Sequence, residues 1–431
     1  MHRTRLFSSL FVIAGSLLAA CSSSNTATGP EAPVTNDAQV DATDAFTVNL
    51  PDVTVAPPED RAAPEDRFVP DDRAEFADTS SEIDAGVAPP QDVLVTRPDV
   101  VAVTDVARDV TPDAGTCALP PACTGGTLPT FSARRWVHSI ESNLTVITGG
   151  ARHRGRDLFV RDGAPQWALA KFAYGATDKD LEDEDIEIFV QRNCAGPWER
   201  LGTARTTRDS TGHPTTEGVA DTGGWVFFQI PAAMRLGVGR HRLVFGVVGD
   251  HTTAEQLIEV IPPEARVVVT YVDGTLTESE NAEFAVLFSG PSPQVNAGGP
   301  EMLTALARRG YRIFYLTARP EWLEARTHAW LRERGLPPGL VHTTLTFTGA
   351  LSTAAVSFKT NELNDLILRF GRRPDYAFGN TDSDVTAYRN AAINAPDTYY
   401  YRYTGDTRGG VRVDDYRTLV ATVSVGPLYC R

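Results

Sequence analysis

With 431 residues, 42% of them hydrophobic, the chain is long enough for two or three domains with cores of their own. The formal charge of −15 is concentrated in one stretch: residues 22–116 hold 20 acidic residues and 5 arginines, residues 1–21 carry +2, and about −2 remains for residues 117–431. The rest of the chain is therefore nearly neutral and lacks the basic footprint of a nucleic-acid binder, so no nucleic-acid partner is expected.

The chain begins with Arg3 and Arg5 ahead of an apolar run over residues 6–18, followed by Leu18-Ala19-Ala20-Cys21. A basic start and a short apolar segment make a signal peptide, too short to span a bilayer as a mature helix. The ending at Cys21 resembles the lipobox of bacterial lipoproteins. That resemblance implies lipidation of Cys21, a membrane partner through this anchor, and a place in the bacterial cell envelope. Ser22 after the cysteine points to the outer membrane. Residues 22–116 contain no Trp, Tyr, Cys or Lys and three Phe, too little apolar surface to offset the entropy of ordering. A six-residue period runs through Pro58-Glu59-Asp60-Arg61, Pro64-Glu65-Asp66-Arg67 and Pro70-Asp71-Asp72-Arg73. It is low complexity rather than architecture, and the segment reads as a disordered acidic tether that acts as a spacer.

Four cysteines follow Cys21: Cys117, Cys123, Cys194 and Cys430. In an oxidising compartment they suggest two disulfides with three possible connectivities. The expected pairing is a local Cys117–Cys123 loop with a Cys194–Cys430 bridge. No histidine stands at zinc-ligand spacing beside them.

Residues 117–263 alternate short apolar runs with Gly, Asp and Thr punctuation, as in 157–161, 186–190, 225–230 and 241–248. Period-two patterning without a convincing long helix predicts a β-sandwich. The stretch 198–205, followed by Gly223-Gly224-Trp225-Val226-Phe227, resembles immunoglobulin-like domains, which implies a spacing, docking or binding module. The acidic turn over residues 178–185 could hold calcium, but a solvated loop is the expected reading.

From residue 264 the pattern changes. Strands at 267–272, 311–316, near Val341, at 376–378 and at 399–402 alternate with helices at 300–309, 320–334, 358–370 and 382–390. Such alternation predicts βαβ units, a parallel sheet covered on both faces, and ligands at the C-terminal strand ends. Residues 264–431 are thus an α/β domain preceded by the all-β sandwich.

Four segments fall at those strand ends: Tyr271-Val272-Asp273-Gly274-Thr275; Thr317-Ala318-Arg319-Pro320; Phe358-Lys359-Thr360, taken to open a helix; and Gly379-Asn380-Thr381-Asp382-Ser383-Asp384. In this order and spacing they resemble the four motifs of the haloacid dehalogenase superfamily, and more narrowly the lipin/Nir-type LNS domain, over roughly residues 264–405. The resemblance implies a Rossmann-like fold and a phosphate site, with phosphatidic acid the ligand such domains bind or hydrolyse. It makes Gly274, Thr275, Thr317, Arg319 and Lys359 phosphate-binding. Asp273 becomes the acid/base of any surviving chemistry, and Asp273, Asn380 and Asp384 become ligands for a Mg2+ cofactor.

Tyr271 departs from the enzymes of that superfamily, because the attacking carboxylate is replaced by a phenol. A neutral phenol is a poor nucleophile near neutral pH and brings no formal charge to Mg2+. The Nir-type phosphatidylinositol transfer proteins are similar in lacking this aspartate, which implies a non-catalytic sensor of phosphatidic acid. The expected function is a membrane-tethered lipoprotein that binds a phosphate-bearing lipid or small phosphate monoester without turnover. The alternatives are an active Mg2+-dependent phosphatidate phosphatase, and a cell-surface interaction scaffold. Intervals of 42 residues between Thr275 and Thr317, and between Thr317 and Lys359, leave no room for a large cap. The loop 288–295 is expected to rim the site. Trp322, Leu323 and Trp330 are expected to cover the sheet rather than insert into a membrane.

Overall fold

The computed structural model describes residues 115–209, 212–278 and 292–430. The signal peptide, Cys21 and the repeat of the acidic tether lie outside the described residues, as do residues 288–291 of the loop expected to rim the site.

After a short helix α1 (Ser139–Val146), ten strands build the first part. They are β1 (Arg154–Gly155), β2 (Leu158–Arg161), β3 (Trp167–Lys171), β4 (Ala173–Tyr174), β5 (Lys179–Asp180), β6 (Asp185–Gln191), β7 (Glu199–Arg205), β8 (Trp225–Gln229), β9 (Gly239–Val247) and β10 (Thr253–Ile261). One sheet runs β1-β3-β8 and the other β2-β10-β9-β6-β7, with β4 and β5 as a separate pair. The two sheets enclose Leu169, Phe172, Ile188, Trp225, Phe245 and Ile258, all 2% exposed or less, so the period-two pattern does produce a sandwich. The acidic turn holds no bare carboxylate cluster. Asp178 pairs with Arg154, Asp180 with Lys171 and Asp183 with Arg208, while Glu184 accepts the main-chain N–H groups of Val137 and His138.

The second part alternates β11 (Arg266–Tyr271), α2 (Gly299–Arg308), β12 (Tyr311–Leu316), α3 (Glu324–Glu333), β13 (Leu340–His342), α4 (Ser352–Phe370), β14 (Tyr376–Gly379), α5 (Asp382–Asn390), β15 (Thr398–Tyr401), β16 (Val411–Val413) and α6 (Arg417–Val423). All six strands are parallel, in the order β13-β12-β11-β14-β15-β16. The apolar run of β11 is explained by burial on both sides. Val267, Val269 and Tyr271 face a layer formed with α4 and α5, while Val268 and Val272 face α2, α3 and α6. Trp330 covers the sheet as expected and Leu323 is buried; Trp322 instead sits at the surface, its Nε1 donating to the Phe347 carbonyl. The chain steps outward from β11 to β13 and then returns to the other side of β11 as β14. That reversal falls at the C-terminal ends of β11 and β14, the place where open parallel sheets form a ligand crevice.

Two expectations are corrected, and two elements are additional to those expected. The disulfides are Cys117–Cys430 and Cys123–Cys194, not Cys117–Cys123 and Cys194–Cys430. The first bridge joins points 313 residues apart, so sequence proximity was the wrong guide. Lys359 does not open a helix; α4 begins at Ser352 and carries Lys359 two turns in. β16 and α6 were not anticipated, since β16 is three residues long with only Val413 buried.

The sandwich and the parallel sheet are packed together. Phe159 on β2 meets Phe314 and Phe370 edge-on, and Phe159 and Ile261 belong to the same buried cluster as Val267 and Leu363.

Candidate functional site

The crevice gathers the four segments. Tyr271 ends β11 with its ring stacked on Tyr388, centroids 5.5 Å apart and planes 11° from parallel. Lys359 Nζ stands 4.3 Å from the Tyr271 ring centroid, a cation–π contact. The Tyr271 hydroxyl is buried without a hydrogen-bond partner. Burial first, and the Asp384 carboxylate second, hold the phenol well above its ordinary pKa. Tyr271 thus presents a neutral phenol with no base among the described residues bonded to it.

Asp273 follows on the loop after β11. Its Oδ2 accepts a hydrogen bond of 2.6 Å from Thr317 Oγ1, and its Oδ1 accepts two from Arg319, at 2.9 Å from Nε and 2.7 Å from Nη2. Arg319 is 2% exposed, and its Nη1 donates to Thr327 Oγ1. The guanidinium assigned to phosphate in the sequence is therefore turned toward a carboxylate of the same site. Gly274 makes the sharp turn at φ 66°, where any side chain would be strained, and its N–H donates to Thr277 Oγ1. Thr275 donates to Asn380 Oδ1 at 2.7 Å.

The third and fourth segments meet across α4 and α5. Lys359 Nζ donates to Asp384 Oδ1 at 2.5 Å and to Ser383 Oγ at 2.8 Å. Asp384 is fully buried, and its Oδ2 accepts the main-chain N–H groups of Asn380 and Thr381. The second of these contacts belongs to a capping box that starts α5, so one carboxylate both ends the strand and starts the helix.

All the candidates therefore converge, in two coupled groups: Asp273, Thr317 and Arg319 on one side, and Thr275, Lys359, Asn380 and Asp384 on the other. Among the described residues of the site, Asp273 pairs with Arg319 and Asp384 with Lys359. A Mg2+ ion takes about six oxygens, one or two of them from carboxylates. Here each carboxylate is already neutralised by Arg319 or Lys359, and Tyr271 adds a phenol rather than a third anion. The residues present do not fit the Mg2+ centre of an aspartate-dependent phosphatase. Three contributors were not singled out from the sequence. Asn296 Nδ2 donates to the carbonyls of Gly274, Thr275 and Thr277 and so holds the first loop. Ser383 shares Lys359, and Tyr388 supports Tyr271. Only Ser383 carried a signal, as a hydroxyl inside a quoted motif.

Residues 268–401 match the family model described as the LNS2 domain of PITM 1-3, and residues 151–260 match that of the PITM 1-3 beta-sandwich domain. Among curated relatives, protein retinal degeneration B of Drosophila melanogaster is 29% identical over 60% of this chain and 19% of its own length. The membrane-associated phosphatidylinositol transfer protein 2 of Homo sapiens is 30% identical over 58% of this chain and 17% of its own length. The chain thus spans about a fifth of the length of the relatives it matches. Among solved structures, a deoxy-D-mannose-octulosonate 8-phosphate phosphatase of Haemophilus influenzae aligns with 37% of this chain and 88% of its own, at 14% identity and a TM-score of 0.27. Residues 268–401 are thus similar to an LNS2 domain of the PITM type, and residues 151–260 to the β-sandwich domain that accompanies it.

Proposed function

We propose that a chain carrying these two domains binds the phosphate of a lipid, phosphatidic acid, at the crevice without hydrolysing it. The observation that carries this reading is Tyr271: a neutral, buried phenol at the position where a phosphatase needs a charged nucleophile. Losing that charge has a second consequence. Among the described residues Asp273 is matched by Arg319 and Asp384 by Lys359, so these two carboxylates present no excess of negative charge to a phosphate. Thr317 and Lys359 are the groups that turn to the phosphate when it binds. Retention of Asp273 is the feature that favours the competing phosphatase reading, but both its oxygens are taken up by Arg319 and Thr317. The names of the relatives, phosphatidylinositol transfer proteins, agree with a phospholipid ligand and do not decide which one.

The test is sedimentation of the protein with phosphatidylcholine vesicles containing or lacking phosphatidic acid, with phosphate release followed in the same tubes. Binding is expected only with phosphatidic acid, unchanged by EDTA, reduced about tenfold in Thr317→Val and in Lys359→Gln, and without phosphate release. Release that needs Mg2+ and disappears in Asp273→Asn would overturn the proposal and restore the phosphatase with its cofactor. Binding unaltered in both crevice variants would point to the scaffold reading.

The lipobox-like Leu18-Ala19-Ala20-Cys21 supports placing this activity on a lipid anchor in the bacterial envelope, at the outer membrane. Two disulfides among the described residues agree with an oxidising compartment. Cys21→Ser should move the protein from the membrane fraction to the soluble one; continued membrane retention would remove the anchor from the proposal.

A further inference from the structure

The joint between the sandwich and the parallel sheet contains a cavity of about 620 Å3, walled by residues 253–257 of the sandwich and by residues of α3 and the turn after it. Three side chains with metal-ligating atoms meet on its wall: Asp157 from the segment between β1 and β2, and Glu324 and His328 from α3. Among the described residues this is the one group of three His, Cys, Asp or Glu side chains whose ligand atoms all lie within 4.8 Å of one another. His328 Nε2 is 3.3 Å from Asp157 Oδ2 and 3.9 Å from Glu324 Oε1. Three atoms at those separations can each approach a common ion to about 2.0–2.2 Å with small rotamer adjustments.

The surroundings argue for a ligand rather than an ion pair alone. Glu324 is 7% exposed, and the cation that faces its carboxylate is His328, 3.9 Å away and shared with Asp157, with the Arg156 charge farther off; burial raises its pKa to about 7. A buried carboxylate whose facing cation is shared with a second carboxylate is costly to keep charged, and a divalent ion among the three groups would offset that cost. Asp157, in contrast, is held in place. Its Oδ1 accepts the N–H of Leu257 from β10 and its Oδ2 the N–H of Val341 from β13. A ligand oxygen anchored by main-chain donors of two sheets is the kind of second-shell support that metal sites use. Nearby cations are committed elsewhere: Arg156 to Glu362 and to the Thr343 carbonyl, Arg154 to Asp178 and Glu321. The cavity leaves room for water to complete the coordination shell. One imidazole and two carboxylates suit Zn2+ or a similar first-row divalent ion better than Mg2+ or Ca2+, which prefer oxygens throughout.

We propose that Asp157, Glu324 and His328 form a divalent-metal site that clamps the β-sandwich to the α/β domain, distinct from the phosphate crevice. The signal in the sequence was no more than an i,i+4 Glu–His pair on one helix. The third ligand lies on a different domain, 167 residues from Glu324.

The full chain, stripped with EDTA, reloaded with one equivalent of ZnCl2 and dialysed, should retain one Zn2+ by mass spectrometry and melt at higher temperature than the stripped protein. Glu324→Gln and His328→Gln should each lose at least tenfold in affinity while keeping phosphatidic acid binding. That second readout separates this site from the crevice and shows that the variants are folded. X-ray absorption of the loaded wild type, which needs no variant, should show one imidazole in a shell of nitrogen and oxygen. Loss of Zn2+ on dialysis of the wild type, full retention in both variants, or a shell without imidazole would each overturn the proposal and leave a buried His328–Asp157 ion pair only.

Discussion

At the scale of single residues, Tyr271 carries a buried hydroxyl with no hydrogen-bond partner among the described residues. A buried hydroxyl without a partner costs about 1–3 kcal/mol relative to a satisfied or absent one. The Tyr271 ring, by contrast, is well used, stacked on Tyr388 and facing Lys359. The hydroxyl is therefore the part of the side chain that the fold does not need. Tyr271→Phe is expected to keep phosphatidic acid binding and to raise unfolding stability by about 1 kcal/mol in a urea titration. A large loss of stability or of binding would mean that the hydroxyl has work the geometry does not reveal. Lys359 is the opposite case. Removing its ammonium leaves Asp384 buried without its cation, a loss of about 3–5 kcal/mol. Thr317 is thus the cleaner reporter of ligand binding.

At the scale of elements, α5 shows how local sequence sets a functional position. Thr381-Asp382-Ser383-Asp384 is a helix start readable from sequence, and the capping box it forms fixes Asp384 against the end of β14. Thr381→Ala should cost about 1 kcal/mol in thermal or urea unfolding, with α5 fraying first by hydrogen exchange. No change in either would mean that Asp384 alone fixes the start of the helix. The same kind of local signal made much of the fold legible. The valines of β11 and the strand–turn–helix sequence around Thr317 could each be assigned from ten residues or fewer, and with them the parallel sheet and its strand ends. Where the signal was not local, the reading failed. Ser352-Thr353-Ala354-Ala355-Val356 carries no sharp boundary, so α4 was started too late and Lys359 was placed at its opening. Position within a motif does not say which way a guanidinium turns, and in the fold that of Arg319 turns to Asp273. The cysteine pairing was decided by tertiary distance, which spacing along the chain does not encode.

At the scale of the molecule, the two domains are bound into one body by buried charge as well as by shared apolar core. Arg156 of the sandwich pairs with Glu362 on α4, and Glu362 also receives His342 at the end of β13. Cys117–Cys430 ties the lead-in of the sandwich to the far end of the α/β domain, which restricts the unfolded chain over 313 residues. A joint of this kind should make unfolding a single transition, and its acid sensitivity can be worked out from Glu362. Burial alone would raise its pKa, but the Arg156 guanidinium and the His342 imidazole more than reverse this and hold it at about 2, below the usual 4.5. A depressed carboxylate contributes stability that is complete above the unfolded pKa and is lost as pH falls through the folded one. The relevant window is therefore pH 4.5 down to about 2, and the contribution is about 3 kcal/mol by linkage. In Glu362→Gln the neutral amide cannot titrate, and Arg156 is left without its anion. Urea unfolding at pH 7 should show a loss of about 3 kcal/mol, and the difference from wild type should shrink steadily between pH 4.5 and 2. Both domains should still unfold together, because Phe159 and Ile261 remain in the shared core. A variant that melts in two separated steps would show that this ion pair, rather than the apolar contact, is what makes the two domains cooperative.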